Sequence, residues 1–207
     1  MEKSLVHTIR KGDLLKVKEL LSLGEDVNQF DERGWSPLMH AIFIGNPQIV
    51  KLLLNAGANK HTKNKHGRTL LTQAARFGHA DVVKVLLDWG LDKEKRDKSG
   101  QTPFIYATRK GHIDVMNVLL KSGVDINGTD KHGRTPLIHA VNLLEYDSVA
   151  FLVSHGANRL IQDKFMHTAY DYAKKWGDKC MMRMVAIPQK VLEYNTFPLM
   201  PKHENTL

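Results

Sequence analysis

The amino-acid sequence predicts an all-α solenoid of helix-turn-helix units that are joined by extended turn fingers. Two observations predict it: the chain matches itself when it is shifted by 33 residues, and the shifted units carry the start and stop signals of two helices. The positions in register include Gly34, Gly67, Gly100 and Gly133, and also Ala41, Ala74, Ala107, Ala140 and Ala173. Because no insertion interrupts the register over about 150 residues, the units are predicted to be repeats of one structure.

The first helix of a unit is predicted by a hydroxyl residue that is followed by proline. The hydroxyl can accept a hydrogen bond from the free N–H groups of the first turn, where proline is tolerated. A glycine about eight residues later can adopt the left-handed conformation that ends a helix. These signals are Ser36-Pro37, Thr102-Pro103 and Thr135-Pro136 at the starts, and Gly45, Gly78 and Gly111 at the ends.

The second helix is predicted by apolar residues at helical spacing, as in residues 49–53, IVKLL. Asn46-Pro47 marks the start of this helix, and Gly57 marks its end. Residues 58–67, ANKHTKNKHG, are polar and turn-prone. They therefore predict an extended turn that leads to the next unit.

Three segments carry a resemblance to a known family: GHADVVKVLLDWG at 78–90, GHIDVMNVLLKSGVDIN at 111–127 and HGRTPLIHA at 132–140. They resemble the ankyrin repeat, and the resemblance covers about residues 1–185. It implies a single domain of residues 1–186. The parts of this domain would be an N-terminal cap (1–30), four repeats (31–63, 64–96, 97–129 and 130–162) and a C-terminal cap (163–186).

The chain departs from the family pattern at several points. Leu70 stands where the pattern has proline, and His40 and His139 come one residue later than the usual histidine. Leu144 replaces the glycine that ends a first helix, which predicts either a longer helix or a reshaped loop. Residues 187–207 match no repeat and are predicted to be a Pro-containing tail, either an unpacked terminus or a segment that packs on the last repeat or binds a partner.

Composition and motifs exclude several classes of function. The single cysteine, Cys180, excludes an internal disulfide and a multi-cysteine zinc site, and it favours the reducing cytoplasm. The sequence has no apolar run that could span a membrane and no secretory signal at its start. It has no Walker, Rossmann, zincin or nucleophile-elbow motif. We therefore expect a cytoplasmic protein that is not an enzyme and has no cofactor or metal.

The formal net charge of +8 lies mainly in the middle of the chain. Segments 31–63, 64–96 and 97–129 contribute +2, +3 and +1 of it. An excess of positive charge favours anionic partners, such as an acidic protein surface or a nucleic acid.

The resemblance also implies a concave binding face, which the first helices line and the turn fingers border. Basic residues alternate with aromatic residues at these positions, and Arg and aromatic side chains are enriched in binding hot spots. Trp35 is the strongest single candidate, with packing on a neighbouring finger as the alternative. The candidate partner-binding residues are Arg33, Trp35, Phe43, Lys65, His66, Arg68, Arg76, Phe77, Lys98, Gln101, Arg109, Lys110, Arg134 and Trp176.

The sequence thus predicts a monomeric, non-catalytic module that binds another protein with an acidic or mixed surface. Analogy with the family suggests an inhibitor, an immunity-type factor or an adaptor. Two alternatives stay open at this point. The same face could bind nucleic acid or another anionic ligand, because basic and aromatic residues suit phosphates and stacked bases. The protein could also be a host-directed bacterial effector, which would use the same binding chemistry.

Overall fold

The computed structural model describes residues 4–186, which contain twelve α-helices and no β-strand. None of these helices is long and apolar enough to cross a membrane. The predicted all-α solenoid is confirmed, whereas the predicted tail of residues 187–207 lies outside the described residues. In chain order the helices are α1 (Leu5–Lys11), α2 (Leu14–Ser22), α3 (Pro37–Ile44), α4 (Pro47–Asn55), α5 (Leu70–Phe77), α6 (Ala80–Asp88), α7 (Pro103–Arg109), α8 (Ile113–Lys121), α9 (Pro136–Asn142), α10 (Tyr146–Ser154), α11 (Ala169–Lys175) and α12 (Lys179–Val185).

Hydroxyl side chains cap the first helices where the sequence predicts them. Ser36, Thr69, Thr102 and Thr135 each accept a hydrogen bond from the backbone N–H three residues later. Thr69 does so although Leu70 replaces proline, because the cap needs only the hydroxyl and a free N–H. The replacement of proline therefore does not remove the start of this helix.

The helices stack in two rows. The odd-numbered helices pack against one another in chain order, and the even-numbered helices form the second row. Side chains between the rows form one core, which includes Ile49, Leu86, Phe104 and Leu119. Since each unit buries its apolar faces only against its neighbours, stability depends on the stack rather than on a single unit.

Five turn fingers connect the second row to the first. We number them finger 1 to finger 5 (residues 30–36, 63–69, 96–102, 129–135 and 162–168). In finger 1, the carboxylate of Asp31 accepts the backbone N–H groups of Arg33 at 2.9 Å and Trp35 at 2.8 Å. Equivalent bonds form in fingers 2 to 5 at Asn64, Asp97, Asp130 and Asp163.

The fourth unit ends its first helix without a glycine. Helix α9 ends at Asn142 and does not continue, because Leu144 adopts the left-handed conformation with φ 58°. The backbone N–H of Leu144 donates to the carbonyl of Val141 at 3.1 Å. A leucine thus occupies a backbone conformation that favours glycine.

We expect Leu144→Gly to raise the free energy of unfolding by about 1 kcal/mol. The left-handed conformation costs a non-glycine residue ~1–2 kcal/mol, and the greater entropy of unfolded glycine offsets part of the gain. Leu144 is 44% exposed, so little packing is lost. Chemical denaturation of the variant and the parent measures the change. Leu143→Gly is the matched control, because Leu143 has φ −100° and gains nothing from glycine. Equal effects of the two changes would contradict this account.

Candidate functional site

A groove of about 780 Å³ lies between fingers 1 and 2. Helices α3 and α5 form its floor, which contains the apolar side chains of Met39, Ile42 and Leu70. The groove brings together eight of the fourteen candidate residues: Arg33, Trp35, Phe43, Lys65, His66, Arg68, Arg76 and Phe77.

Three aromatic rings run along this groove, and we call Trp35, Phe43 and Phe77 the aromatic row. The ring centroids of Trp35 and Phe43 are 5.7 Å apart, and those of Phe43 and Phe77 are 5.1 Å apart, both edge to face. The ring centroids of Trp35 and His40 are 5.3 Å apart. Phe43 is 51% exposed, so a large apolar surface at the centre of the row faces solvent.

Basic side chains border the aromatic row. Arg33, Lys65 and His66 are exposed on the two fingers. The guanidinium of Arg76 lies 5.3 Å from the ring centroid of Phe77, within the range of a cation–π contact. None of the described residues that line the groove is acidic. The groove therefore combines apolar surface with an excess of positive charge, although Arg68 is paired with Asp97 at 3.7 Å.

Four of the five fingers are fixed to the helix that follows them by a hydrogen bond between an aspartate and a His or Tyr side chain, which we call a carboxylate pair. The second carboxylate oxygen of the finger accepts a hydrogen bond from the side chain nine residues later, which is His or Tyr. The four pairs are Asp31–His40 (2.8 Å), Asp97–Tyr106 (2.7 Å), Asp130–His139 (3.0 Å) and Asp163–Tyr172 (2.6 Å). Sequence reasoning missed these pairs, although the constant spacing of nine residues could have revealed them.

Hydrogen bonds in three of the pairs lower the pKa of the aspartate, namely of Asp31, Asp130 and Asp163. Burial opposes the charge of Asp130, but hydrogen bonds from His139 and Arg134 outweigh it and hold the pKa of Asp130 well below its usual value. Burial lowers the pKa of His139, so its neutral ring donates Nε2–H to Asp130 at pH 7. Burial and the bond to Asp163 raise the pKa of Tyr172 to about 12. The pairs thus stabilise the fingers at neutral pH.

A family model of ankyrin repeats, with three copies, matches residues 5–97 and 90–163. The chain belongs to the ankyrin-repeat family. A comparison with curated proteins finds no match. Ankyrin repeats are generally protein-interaction modules and are typically non-catalytic.

The second ankyrin repeat lacks the carboxylate pair. Asn64 replaces the aspartate, and Gln73 stands nine residues later. The Oδ1 atom of Asn64 still accepts the backbone N–H groups of His66 and Arg68, at 3.0 and 3.1 Å. The Oε1 atom of Gln73 is buried and has no hydrogen-bond partner within residues 4–186. Both Asn64 and Gln73 line the groove. At position 64 the groove therefore has the neutral amide of Asn64, where the other fingers have a hydrogen-bonded carboxylate.

Two candidate arginines are held by bonds within the ankyrin stack. The Nε–H of Arg68 donates to the Tyr106 hydroxyl at 2.8 Å. Arg134 donates two hydrogen bonds to one carboxylate oxygen of Asp130, at 3.0 and 2.8 Å. A partner could contact the edges of these guanidinium groups, but their main role in this structure is to support the fingers.

Gln101 differs from the expectation that it faces a partner. Its side chain lies inside the stack, where Oε1 accepts a hydrogen bond from Arg109 at 2.7 Å, and the residue is only 7% exposed. The period predicted its position in the finger, but not its internal partner. Lys98, Lys110 and Trp176 are exposed and lie outside the groove.

Two histidines of the ankyrin stack bond backbone carbonyls of the preceding repeat. Across residues 4–186, no group of three His, Cys, Asp or Glu side chains could hold a metal ion. The Nε2 atom of His79 bonds the carbonyl of Phe43 at 3.0 Å, and that of His112 bonds the carbonyl of Arg76 at 3.1 Å. Each of these histidines joins its repeat to the end of the preceding first helix.

Proposed function

We propose that residues 1–186 form one non-catalytic protein-interaction domain that binds an acidic or mixed surface of a partner protein on its concave face. The observation that carries this proposal is the groove between fingers 1 and 2, where the aromatic row lies beside basic side chains and no lining residue is acidic. The protein would act as a monomer in the cytoplasm. Its effect would be to block or tether the partner, as an inhibitor, an immunity-type factor or an adaptor does.

The geometry of the aromatic row favours tight binding. Burial of an exposed ring contributes about 25 cal/mol per Å² of apolar surface removed from water. The edge-to-face contacts hold Phe43 between Trp35 and Phe77 before a partner arrives. Because the rings are already ordered, their immobilisation costs little conformational entropy on binding.

The partner is to be identified by capture from a native lysate, with and without nuclease, and mass spectrometry. A stoichiometric protein that survives nuclease treatment supports the proposal. Recovery that is lost with nuclease would support the nucleic-acid alternative instead, in which the aromatic row would stack on bases.

We expect the double change Trp35→Ala and Phe77→Ala to weaken binding of the captured partner at least tenfold. It removes the two outer rings of the aromatic row, and truncation of aromatic hot-spot residues commonly costs ~2 kcal/mol or more. Isothermal titration calorimetry measures the affinity, and circular dichroism establishes that the variant is folded.

The matched control is Phe165→Ala, which truncates an aromatic residue on finger 5 that is 65% exposed and lies outside the groove. It should leave the affinity near that of the parent. An unchanged affinity of a folded double variant would remove the aromatic row from the interface.

A further inference from the structure

The row of fingers is interrupted between finger 1 and finger 2. Each later pair of neighbouring fingers is joined by a hydrogen bond from a lysine backbone N–H to a carbonyl of the preceding finger. Lys98 donates to the carbonyl of His66 at 3.1 Å, Lys131 to that of Ser99 at 3.1 Å, and Lys164 to that of His132 at 2.9 Å. The corresponding atoms of the first pair are the Lys65 N–H and the Arg33 carbonyl. Within the described chain, neither makes a backbone hydrogen bond of this kind.

The space around the glycines of the fingers is independent evidence for the same interruption. A Cβ atom on Gly100 would lie 2.6 Å from the backbone nitrogen of Lys131, and one on Gly133 would lie 3.2 Å from that of Lys164. A Cβ atom on Gly34 would meet no atom within 4 Å. Fingers 3, 4 and 5 are thus in close contact, whereas finger 1 stands apart from finger 2.

The separated fingers leave a donor and an acceptor on opposite walls of the groove. Lys65 lines one wall and Arg33 lines the other, and both residues are exposed. A polypeptide in an extended conformation offers both groups that these walls lack, a carbonyl and an N–H. A nucleic-acid phosphate could accept from Lys65 but has no N–H to donate to Arg33, so a phosphate backbone cannot serve both groups, whereas a peptide backbone can.

The side chains define which peptide would fit. The floor and the aromatic row suit a large apolar side chain, and the four basic residues Arg33, Lys63, Lys65 and Arg76 suit carboxylates. The four other fingers have an aspartate at the position of Asn64, so the groove lies at the one described finger that lacks this negative charge. Gln73 adds an amide that can bond a peptide group.

We propose that the groove between fingers 1 and 2 binds an extended acidic segment of the partner protein, with an apolar or aromatic side chain on the aromatic row and carboxylates on the basic residues. The Lys65 N–H and the Arg33 carbonyl bond the backbone of the segment. This inference rests on the proposed function and makes it more specific, because it requires a linear segment rather than a folded surface.

The test is selection from a phage-displayed library of random dodecapeptides on the immobilised full-length protein. The expected result is enrichment of peptides that combine Asp or Glu with a large apolar residue. The enriched peptides are then synthesised with a fluorescent label, and their affinities are measured by fluorescence anisotropy. Enrichment of neutral or basic peptides, or no enrichment over a blank surface, would overturn the proposal.

The decisive variant is Asn64→Asp, which places a carboxylate in the groove without removing the turn. The aspartates of the other fingers accept the same two backbone N–H groups, so the variant is expected to fold. It should weaken the selected peptides at least tenfold. Asn158→Asp adds the same charge at an exposed position outside the groove and should change the affinity less than twofold. Equal effects of the two variants would count against the groove.

A labelled dT12 oligonucleotide is measured in parallel. Binding of dT12 that weakens with Asn64→Asp, without any peptide binding, would assign the groove to nucleic acid. The two proposals can fail separately. A captured partner that depends on Trp35 and Phe77, but for which no acidic peptide is enriched, would leave the interaction module standing and remove only the linear segment.

Discussion

Replacement of Asp130 by Asn is expected to lower the free energy of unfolding by about 3 kcal/mol, since loss of one partner of a buried charge pair costs about this much. The Asp130 side chain is fully buried. One carboxylate oxygen accepts the backbone N–H groups of His132 and Arg134, and the other accepts the Arg134 guanidinium and His139. An asparagine would direct an NH₂ group at those side-chain donors.

The chain contains a natural control for this change. In finger 2, Asn64 keeps the two backbone hydrogen bonds, and the residue nine positions later is Gln73 rather than a histidine. Asp130→Asn should therefore preserve the turn and lose only the bonds to the side chains of Arg134 and His139. Urea denaturation measures the loss. Asp114→Asn, at an exposed position in the first turn of α8, is the surface control and should cost less than 1 kcal/mol.

The pH dependence of unfolding gives a second measure of the same pair. The folded pKa of Asp130 lies below the unfolded value of about 4, so the unfolded chain binds more protons as the pH falls below that value. The stabilisation by Asp130 is thus present above pH ~4 and is lost as the pH falls. The lowered pKa of His139 has the same sign and acts from pH ~6.5 downwards. The difference between the parent and Asp130→Asn should shrink in acid; a constant difference would contradict the carboxylate pair.

Local signals made the helices predictable. A pair such as Ser36-Pro37 acts within one turn of the chain, so the sequence reveals it in each unit where it recurs. Leu144 carries no such local signal. The sequence does not indicate whether this leucine prolongs the helix or adopts the left-handed conformation that the structure shows, because leucine favours the helix and the left-handed conformation costs it free energy.

The groove was only partly predictable. The period placed Trp35, Phe43 and Phe77 on one face, but the distance between fingers 1 and 2 depends on contacts between units. Gly34 and Gly100 occupy equivalent positions in the sequence, yet only Gly100 approaches a neighbouring backbone. The burial of Gln101 has a different origin, because its partner Arg109 belongs to the same unit but lies eight residues later, at the end of α7. Periodicity predicts the position of a residue within its unit, but it does not predict the contacts that the residue makes in three dimensions.

The difference between Gly34 and Gly100 leads to the second large prediction. We expect Gly100→Ala to cost about 3 kcal/mol of unfolding free energy, and Gly34→Ala to cost only about 1 kcal/mol. Both residues have a positive φ, of 76° and 72°, so both variants carry the same left-handed strain. In Gly100→Ala the new methyl group also meets the backbone nitrogen of Lys131 at 2.6 Å, and such overpacking typically costs 1–3 kcal/mol.

The comparison isolates the contact between fingers because the strain cancels in the difference. Gly133→Ala should fall between the other two variants, since its methyl group would meet the backbone nitrogen of Lys164 at 3.2 Å rather than 2.6 Å. Urea denaturation of all three variants under one set of conditions gives this order. Equal losses for Gly34→Ala and Gly100→Ala would mean that fingers 1 and 2 touch as closely as fingers 3 and 4. The groove would then be too narrow for a peptide strand, whereas the expected order leaves finger 1 free to form one wall of a binding site.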